Sequence, residues 1–404
     1  MNTLTTSLSA QNLPFVARPL LSVLKQITRG TLLFTTPDGH HFIFGNGEAP
    51  HADLQLLKWS ALGKIFRNGD IGLAECYRDG LIKTRDLTSL LRLGLQNQTS
   101  LEKAIHGNRL FNVGYRLRHL LRRNSKQGSA RNIQSHYDLG NAFYELWLDN
   151  SMTYSSARFH HGFSTDLELA QSEKYRRILA MTGASQGDTI LEVGCGWGGF
   201  AEFAAGQGIR VHGITLSKRQ LAYAKQRIDK AGLSSLVTFE LKDYRDLDKQ
   251  YDHIVSIEMV EAVGEAYWDM YFSKLNESLK PGGTVVIQSI VIGDQHFETY
   301  RTGTNFIQQY IFPGGMLPSP QKLNEHALAN GFSFGEYEAF GADYAETLRR
   351  WRTNFEEKLT QIMQQGFDNS FIQIWRFYLA YCEAGFDEGH IDVLQLQLIR
   401  HDNG

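Results

Sequence analysis

The run Ile190-Leu191-Glu192-Val193-Gly194-Cys195-Gly196-Trp197-Gly198-Gly199-Phe200 constrains the fold of this chain more than any other stretch. An apolar segment carrying one acid gives way to four glycines within six positions, and a helical pattern follows. Glycine takes positive φ and brings no Cβ, so the backbone can turn tightly and approach a ligand closely. A strand-to-helix turn of this kind is the nucleotide cradle of doubly wound α/β folds. A nicotinamide site would place an acid about 20 residues beyond the first glycine to hold a ribose hydroxyl. Ile214-Thr215-Leu216-Ser217 stands there instead, without an acid. The pattern therefore favours S-adenosylmethionine over NAD.

A length of 404 residues predicts two or three domains. With 42% hydrophobic and 21% charged residues, the chain can bury a large core, and its net charge of -2 neither favours nor excludes an anionic partner. Cys76, Cys195 and Cys382 are scattered and odd in number, which suits a reducing cytosol rather than a disulfide framework. No apolar run approaches the roughly 20 residues that span a bilayer. The opening MNTLTTSLSAQNLP lacks the regions of a signal peptide. The expected location is cytoplasmic, with any membrane contact peripheral and on the inner face.

Residues 1–124 are expected to form an N-terminal mixed α/β domain, a scaffold or a lipid-recognition unit. Residues 30–36 read as a strand, Pro37-Asp38-Gly39 as a turn, and His41-Phe42-Ile43-Phe44 as the returning strand. Helical stretches are expected at 54–66 and 87–95. Between Glu102 and Asp138 the chain has no acid but carries Lys103, Arg109, Arg116, Arg118, Arg122, Arg123, Lys126 and Arg131. Within it, 110–123 interleaves arginine with Leu, Phe, Val and Tyr at near-helical spacing. A solvated helix is the plainer reading. The sharper one is a basic segment meeting anionic lipid headgroups, each nearby charge worth about 1 kcal/mol. Residues 124–130 then make a linker.

Residues 125–404 are expected to form the catalytic domain. Strands are predicted at Thr189–Val193, 210–214, 236–241, Tyr251–Ile257 and 283–290, separated by helices from 198, at 218–231 and at 267–279. That alternation implies a doubly wound, mostly parallel α/β sheet of Rossmann-like type, covered on both faces. Ligands in such sheets sit beyond the carboxyl ends of the strands.

Six motifs stand in order along this unit: His136-Tyr137-Asp138-Leu139-Gly140-Asn141, Met152-Thr153-Tyr154-Ser155-Ser156, the glycine loop, Thr215-Leu216-Ser217, Asp243-Tyr244-Arg245-Asp246 and Tyr310-Ile311-Phe312-Pro313-Gly314-Gly315. In them the chain closely resembles the cyclopropane-fatty-acyl-phospholipid synthases, which are S-adenosylmethionine-dependent lipid methyltransferases. The mycolic acid cyclopropane synthases are more distant relatives. Asp70-Ile71-Gly72-Leu73-Ala74-Glu75 extends the match weakly into the first unit.

The resemblance implies a cofactor site. Tyr154 and Ser155 would close over the methionine end above Gly194, Cys195, Gly196, Trp197 and Gly198. Gln220, with Thr215 and Leu216, would offer a hydrogen bond to a ribose hydroxyl, and Asp243 and Tyr244 would flank the adenine. It also implies the reaction: a methyl passes to a cis double bond of an unsaturated phospholipid acyl chain, the carbocation loses a proton, and a cyclopropane ring closes. The proton acceptor implied is a bound bicarbonate, held by Glu261, by Tyr344 and by the backbone at Ser156 and Ile290. A histidine of the family's anion site is replaced by Gln288, which donates a hydrogen bond but carries no proton back and forth. Cys382 falls where the resemblance attaches a catalytic role, although attack by an alkene on a sulfonium needs no thiol. Packing is the competing reading for it.

Other readings keep less of this pattern. A lipid C-methyltransferase giving methylene or methyl-branched chains is the runner-up, motivated by Gln288. A non-catalytic lipid-binding protein would not need the intact glycine loop with Glu261 and Tyr344. Nucleic acid is not expected as a partner, since no recognition module accompanies the basic run. A homodimer is compatible with all of these.

Overall fold

The computed structural model describes residues 17–105 and 139–401. The basic stretch 110–123, the linker 124–130 and the boundary between the two expected domains lie outside them.

The first unit pairs helices with a four-stranded sheet in the order β2-β1-β3-β4, formed by β1 (Thr31–Thr35), β2 (His41–Gly45), β3 (His51–Leu56) and β4 (Ile82–Lys83). The expected hairpin is present. Thr35 pairs with His41, and Gly39, at φ 82°, closes the turn through its N–H to the Thr36 carbonyl. The helix expected at 54–66 divides. Leu54 to Leu56 extend β3, parallel to β1, and the helix is Ser60–Arg78. Pairing with β1 decides the outcome, because it buries Ala52 and Leu56 beside Leu32 and Phe34. That helix breaks at Gly69, where φ 58° and ψ -129° are open only to glycine. The following helix, Leu87–Gln96, forms where expected and is capped by Asp86 accepting from the Ser89 N–H.

The second unit is built on seven strands: β5 (Thr189–Val193), β6 (Arg210–Thr215), β7 (Val237–Leu241), β8 (Tyr251–Ile257), β9 (Leu279–Ile292), β10 (Phe332–Ala339) and β11 (Ile391–Arg400). Their order is β10-β11-β9-β8-β5-β6-β7. Neighbours from β7 to β9 are all parallel, as the alternating pattern predicts. β11 is antiparallel to both β9 and β10, an edge that the sequence reading did not anticipate. The helices Leu167–Thr182, Gly199–Gly206 and Lys218–Lys230 cover the face bearing Ile190, Val211 and Val255. Trp268–Glu277 and Pro320–Ala329 cover the face bearing Leu191, Ile254 and Ile287. Leu279, expected at the end of a helix, opens β9 instead.

The aromatic-rich helix Asn369–Asp387 packs on Gly341–Glu357 and also on the first unit. Polar contacts fasten the joint. The buried carboxylate of Asp70 accepts from the Phe306 N–H and the Tyr381 hydroxyl, both at 3.0 Å. Tyr310 donates to Glu75 at 2.8 Å, and Arg92 pairs with Glu388 at 2.7 Å.

Candidate active site

Strand order reverses between β5 and β8, with β6 on one side and β9 on the other. A crevice therefore opens at the carboxyl ends of β5 and β8. It leads into a cavity of about 1110 Å³ whose walls come from both units: Ile65, Leu73, Leu91 and Leu95 from the first, and the glycine loop with the ends of β5, β6 and β8 from the second.

The loop is shaped as its glycines require. Gly194, Gly196 and Gly198 have φ of 84°, 50° and 83°. A Cβ on Gly194 would lie 2.8 Å from the Met259 side chain, and one on Gly199 would lie 2.7 Å from the Tyr175 hydroxyl. At Gly196 a Cβ would meet no protein atom within 4 Å; it would project into the cavity itself. Just before the loop, burial drives the Glu192 carboxyl up to about 8, and its Oε2 has no hydrogen-bond partner among the described residues. Such a cradle, with an unsatisfied buried acceptor at its mouth, fits a cofactor that brings a cation and a nucleoside.

Of the residues expected at the cofactor, Tyr154, Ser155, Cys195, Trp197, Thr215, Leu216, Gln220 and Tyr244 line the cavity with Gly194 and Gly196. Thr215 donates to the side-chain oxygen of Gln220 at 3.2 Å, and the Tyr154 hydroxyl meets that of Tyr378 at 2.7 Å. Gly198 shapes the turn from behind. Asp243 stands between the lining residues Lys242 and Tyr244, and Arg245 engages both of its carboxylate oxygens, at 2.8 and 2.6 Å.

Opposite the loop lie two partly buried acids three residues apart, just after β8. Glu261 was expected there. Its Oε1 accepts from the Ile290 N–H and from the Ser289 hydroxyl, while Oε2 is buried without a partner among the described residues. Burial, reinforced by the neighbouring Glu258, pushes its carboxyl up to about 8, which favours the protonated form. Glu258 was not singled out from the sequence. Its Oε1 accepts from the Ser156 N–H at 2.9 Å and the Gln288 amide at 2.7 Å, and its Oε2 accepts from the Tyr344 hydroxyl at 2.6 Å. Ser156, Gln288 and Tyr344 are three of the groups that the resemblance assigns to a bicarbonate. Here they converge on a carboxylate of the chain itself, so a separate anion does not fit the same donors.

The amide of Gln288 is oriented by its neighbours. Gln288 and Gln395 are cross-strand partners on β9 and β11, and Gln395 donates to the Gln288 oxygen at 2.9 Å. Arg177 in turn donates to the Gln395 oxygen at 3.0 Å. The guanidinium has donors only, so both amides must point their nitrogens toward Glu258.

Lys174 also escaped the sequence reading. Its ammonium is fully buried, donating to the Ser155 hydroxyl and to Gln171, both at 2.6 Å. Burial lowers it to about 7 although Glu258, Asp149 and Glu192 pull the other way. Burial pushes the Cys382 thiol up to about 12, and that of Cys195 well above its ordinary value, so neither is a thiolate at neutral pH.

Residues 124–396 match the family model described as mycolic acid cyclopropane synthetase. The tuberculostearic acid methyltransferase UfaA1 of Mycobacterium tuberculosis is 38% identical over 345 residues, covering 83% of this chain and 80% of that one. The cyclopropane-fatty-acyl-phospholipid synthase of Escherichia coli is 33% identical over 367 residues, covering 88% and 89%. Among solved structures, mycolic acid cyclopropane synthase CmaA1 complexed with SAH and CTAB superposes with a TM-score of 0.63 at 31% identity, covering 67% of this chain and 97% of that one.

Proposed function

The chain belongs to the mycolic acid cyclopropane synthetase family of S-adenosylmethionine-dependent lipid methyltransferases, and from that premise we propose that it converts the cis double bond of an unsaturated phospholipid acyl chain into a cyclopropane ring. The observation that carries this reading is a cavity that joins the glycine cradle, apolar walls and the pair Glu258 and Glu261.

S-adenosylmethionine supplies an electrophilic methyl on a sulfonium. The glycine loop would admit its backbone-hugging end, and Glu192 would accept from its ammonium. Gln220, its oxygen already occupied by Thr215, offers its amide nitrogen to a ribose hydroxyl. An alkene is a weak nucleophile, so the walls must hold it near roughly 3–3.5 Å from the methyl and exclude water that would trap the cation. The aromatic faces of Tyr154, Phe312 and Tyr378 line the same space and can stabilise a developing positive charge.

A second reading shares the first bond. If a hydride shifts between the two former alkene carbons before the proton leaves, the product is an exomethylene or, after reduction, a methyl-branched chain. The relative at 38% identity, named for methyl transfer, favours keeping this reading. NMR and mass analysis of lipids from an expressing host separates the two. Upfield ring protons support the first; vinylidene protons without ring protons overturn it.

The proposal extends to place. A phospholipid substrate brings the protein to a membrane, and the basic run from Lys103 to Arg131 supplies charge for the anionic inner face of a cytoplasmic membrane. No helix among the described residues is long and apolar enough to cross one. Charge reversal at Arg118 and Arg122 should weaken salt-sensitive vesicle binding; binding indifferent to both salt and mutation would remove this part of the reading.

A further inference from the structure

We propose that Glu258 is a resident catalytic base: its carboxylate, in place of a dissolved anion, takes the proton lost from the added methyl. This rests on the reading above, in which an acyl carbocation forms in the cavity.

Every hydrogen bond that Glu258 makes to a side chain or to the Ser156 N–H brings it a donor. Ser156 and Gln288 serve one oxygen and Tyr344 the other, an arrangement that suits the ionised form. The Arg177–Gln395–Gln288 chain prevents the amide from turning its oxygen toward the carboxylate. The backbone supplies an independent sign. Glu258 sits at φ 49°, one of only two non-glycine residues with positive φ among those described. Strain of this kind costs on the order of 1 kcal/mol and persists where a side chain must be aimed.

Other groups in the cavity are worse placed to be the base. The Lys174 ammonium is turned to Ser155 and Gln171, and the thiol of Cys382 is neutral. Glu261 has its Oε1 committed to Ile290 and Ser289, while its Oε2 has no donor among the described residues to stabilise a carboxylate. His296 and His390 stack on each other at 4.6 Å where Gln98 of the first unit joins the wall. An exogenous bicarbonate would meet the Glu258 carboxylate rather than free donors.

The step balances. The alkene pair forms a carbon–carbon bond to the methyl as the carbon–sulfur bond breaks, and the sulfur leaves as a neutral thioether. The cation stands on the other alkene carbon. A C–H bond of the new methyl gives its proton to Glu258 and its electron pair to the closing ring. Glu258 leaves the step as a carboxylic acid and returns the proton to water when the product departs.

The test uses the full chain with S-adenosylmethionine and dioleoyl phosphatidylglycerol vesicles, in buffer stripped of carbonate and again with bicarbonate added. Formation of S-adenosylhomocysteine and of lipid product is followed. Wild-type turnover should be indifferent to bicarbonate, and Glu258→Gln should lose about 100-fold or more while cofactor binding by calorimetry is retained. Glu258→Gly, which empties the seat and relieves the positive φ, should recover rate when bicarbonate or formate is added. A wild type that needs bicarbonate, or a Glu258→Gln variant that turns over normally, overturns the proposal while leaving the proposed function standing. A wild type that turns over no unsaturated lipid overturns both.

Discussion

The hydroxyl of Tyr344, in the first turn of the helix Gly341–Glu357, donates to Oε2 of Glu258 across 2.6 Å, tying that helix to the end of β8. Both groups are buried, and the phenol stays protonated because burial and the adjacent Glu258 drive its pKa far above the ordinary value. The bond is therefore one-way. Tyr344 stabilises the carboxylate and lowers its proton affinity against the opposing effect of burial, which on balance still leaves Glu258 raised.

Tyr344→Phe removes that donor. A hydrogen bond to a charged group is worth about 1.5–3 kcal/mol, so turnover at neutral pH should fall by roughly 10- to 100-fold. As the base acts only when ionised, the acidic limb of the pH–rate profile should move to higher pH. A profile that drops without moving would make Tyr344 a packing residue.

Glu261 makes folding stability depend on pH. Its carboxyl is raised from 4.5 to about 8, so the folded state holds a proton that the unfolded chain has released. The sign follows: the stabilisation is full below 4.5 and is lost as pH rises through about 8, at no more than about 1.4 kcal/mol per pH unit. Urea melts at intervals between pH 5 and 8 should show stability falling across this window, and Glu261→Gln should flatten the fall. Glu192, also raised to about 8, keeps part of the slope in the variant. Identical slopes in both proteins would mean that Glu261 is ionised at neutral pH.

Cys382→Ala should retain most of the turnover, since a thiol whose pKa lies near 12 offers no thiolate to the reaction. Steady-state rates with unsaturated vesicles decide it, and a loss comparable to that of Glu258→Gln would restore a chemical role to the sulfur.

The glycine loop and the strand–helix alternation were legible in the sequence because both are local: backbone conformation and periodicity write them directly into neighbouring residues. Strand β3 was not, since Leu54 to Leu56 read as either element until the pairing with β1 chose between them. β11 carries an alternation, Leu394, Leu396 and Leu398 against Gln395 and Gln397, which is the local signal for that strand. Glu258 stood in plain view three residues before Glu261. Its role stayed hidden because its donors arrive from 102, 86 and 30 positions away. Two acids so close together at the end of a strand were the signal that could have pointed to it. Asp243 was placed by motif alone, and nothing in the sequence signals that Arg245 holds its carboxylate.

The cavity has walls from two units, each with its own sheet. The glycine loop, Glu258 and Glu261 all lie at the carboxyl ends of the seven-stranded sheet. The first unit adds Ile65, Leu73, Leu91 and Leu95 to the apolar lining. On the proposed reaction, a change at those four side chains would reshape the hydrocarbon end of the cavity while leaving the groups around Glu258 in place.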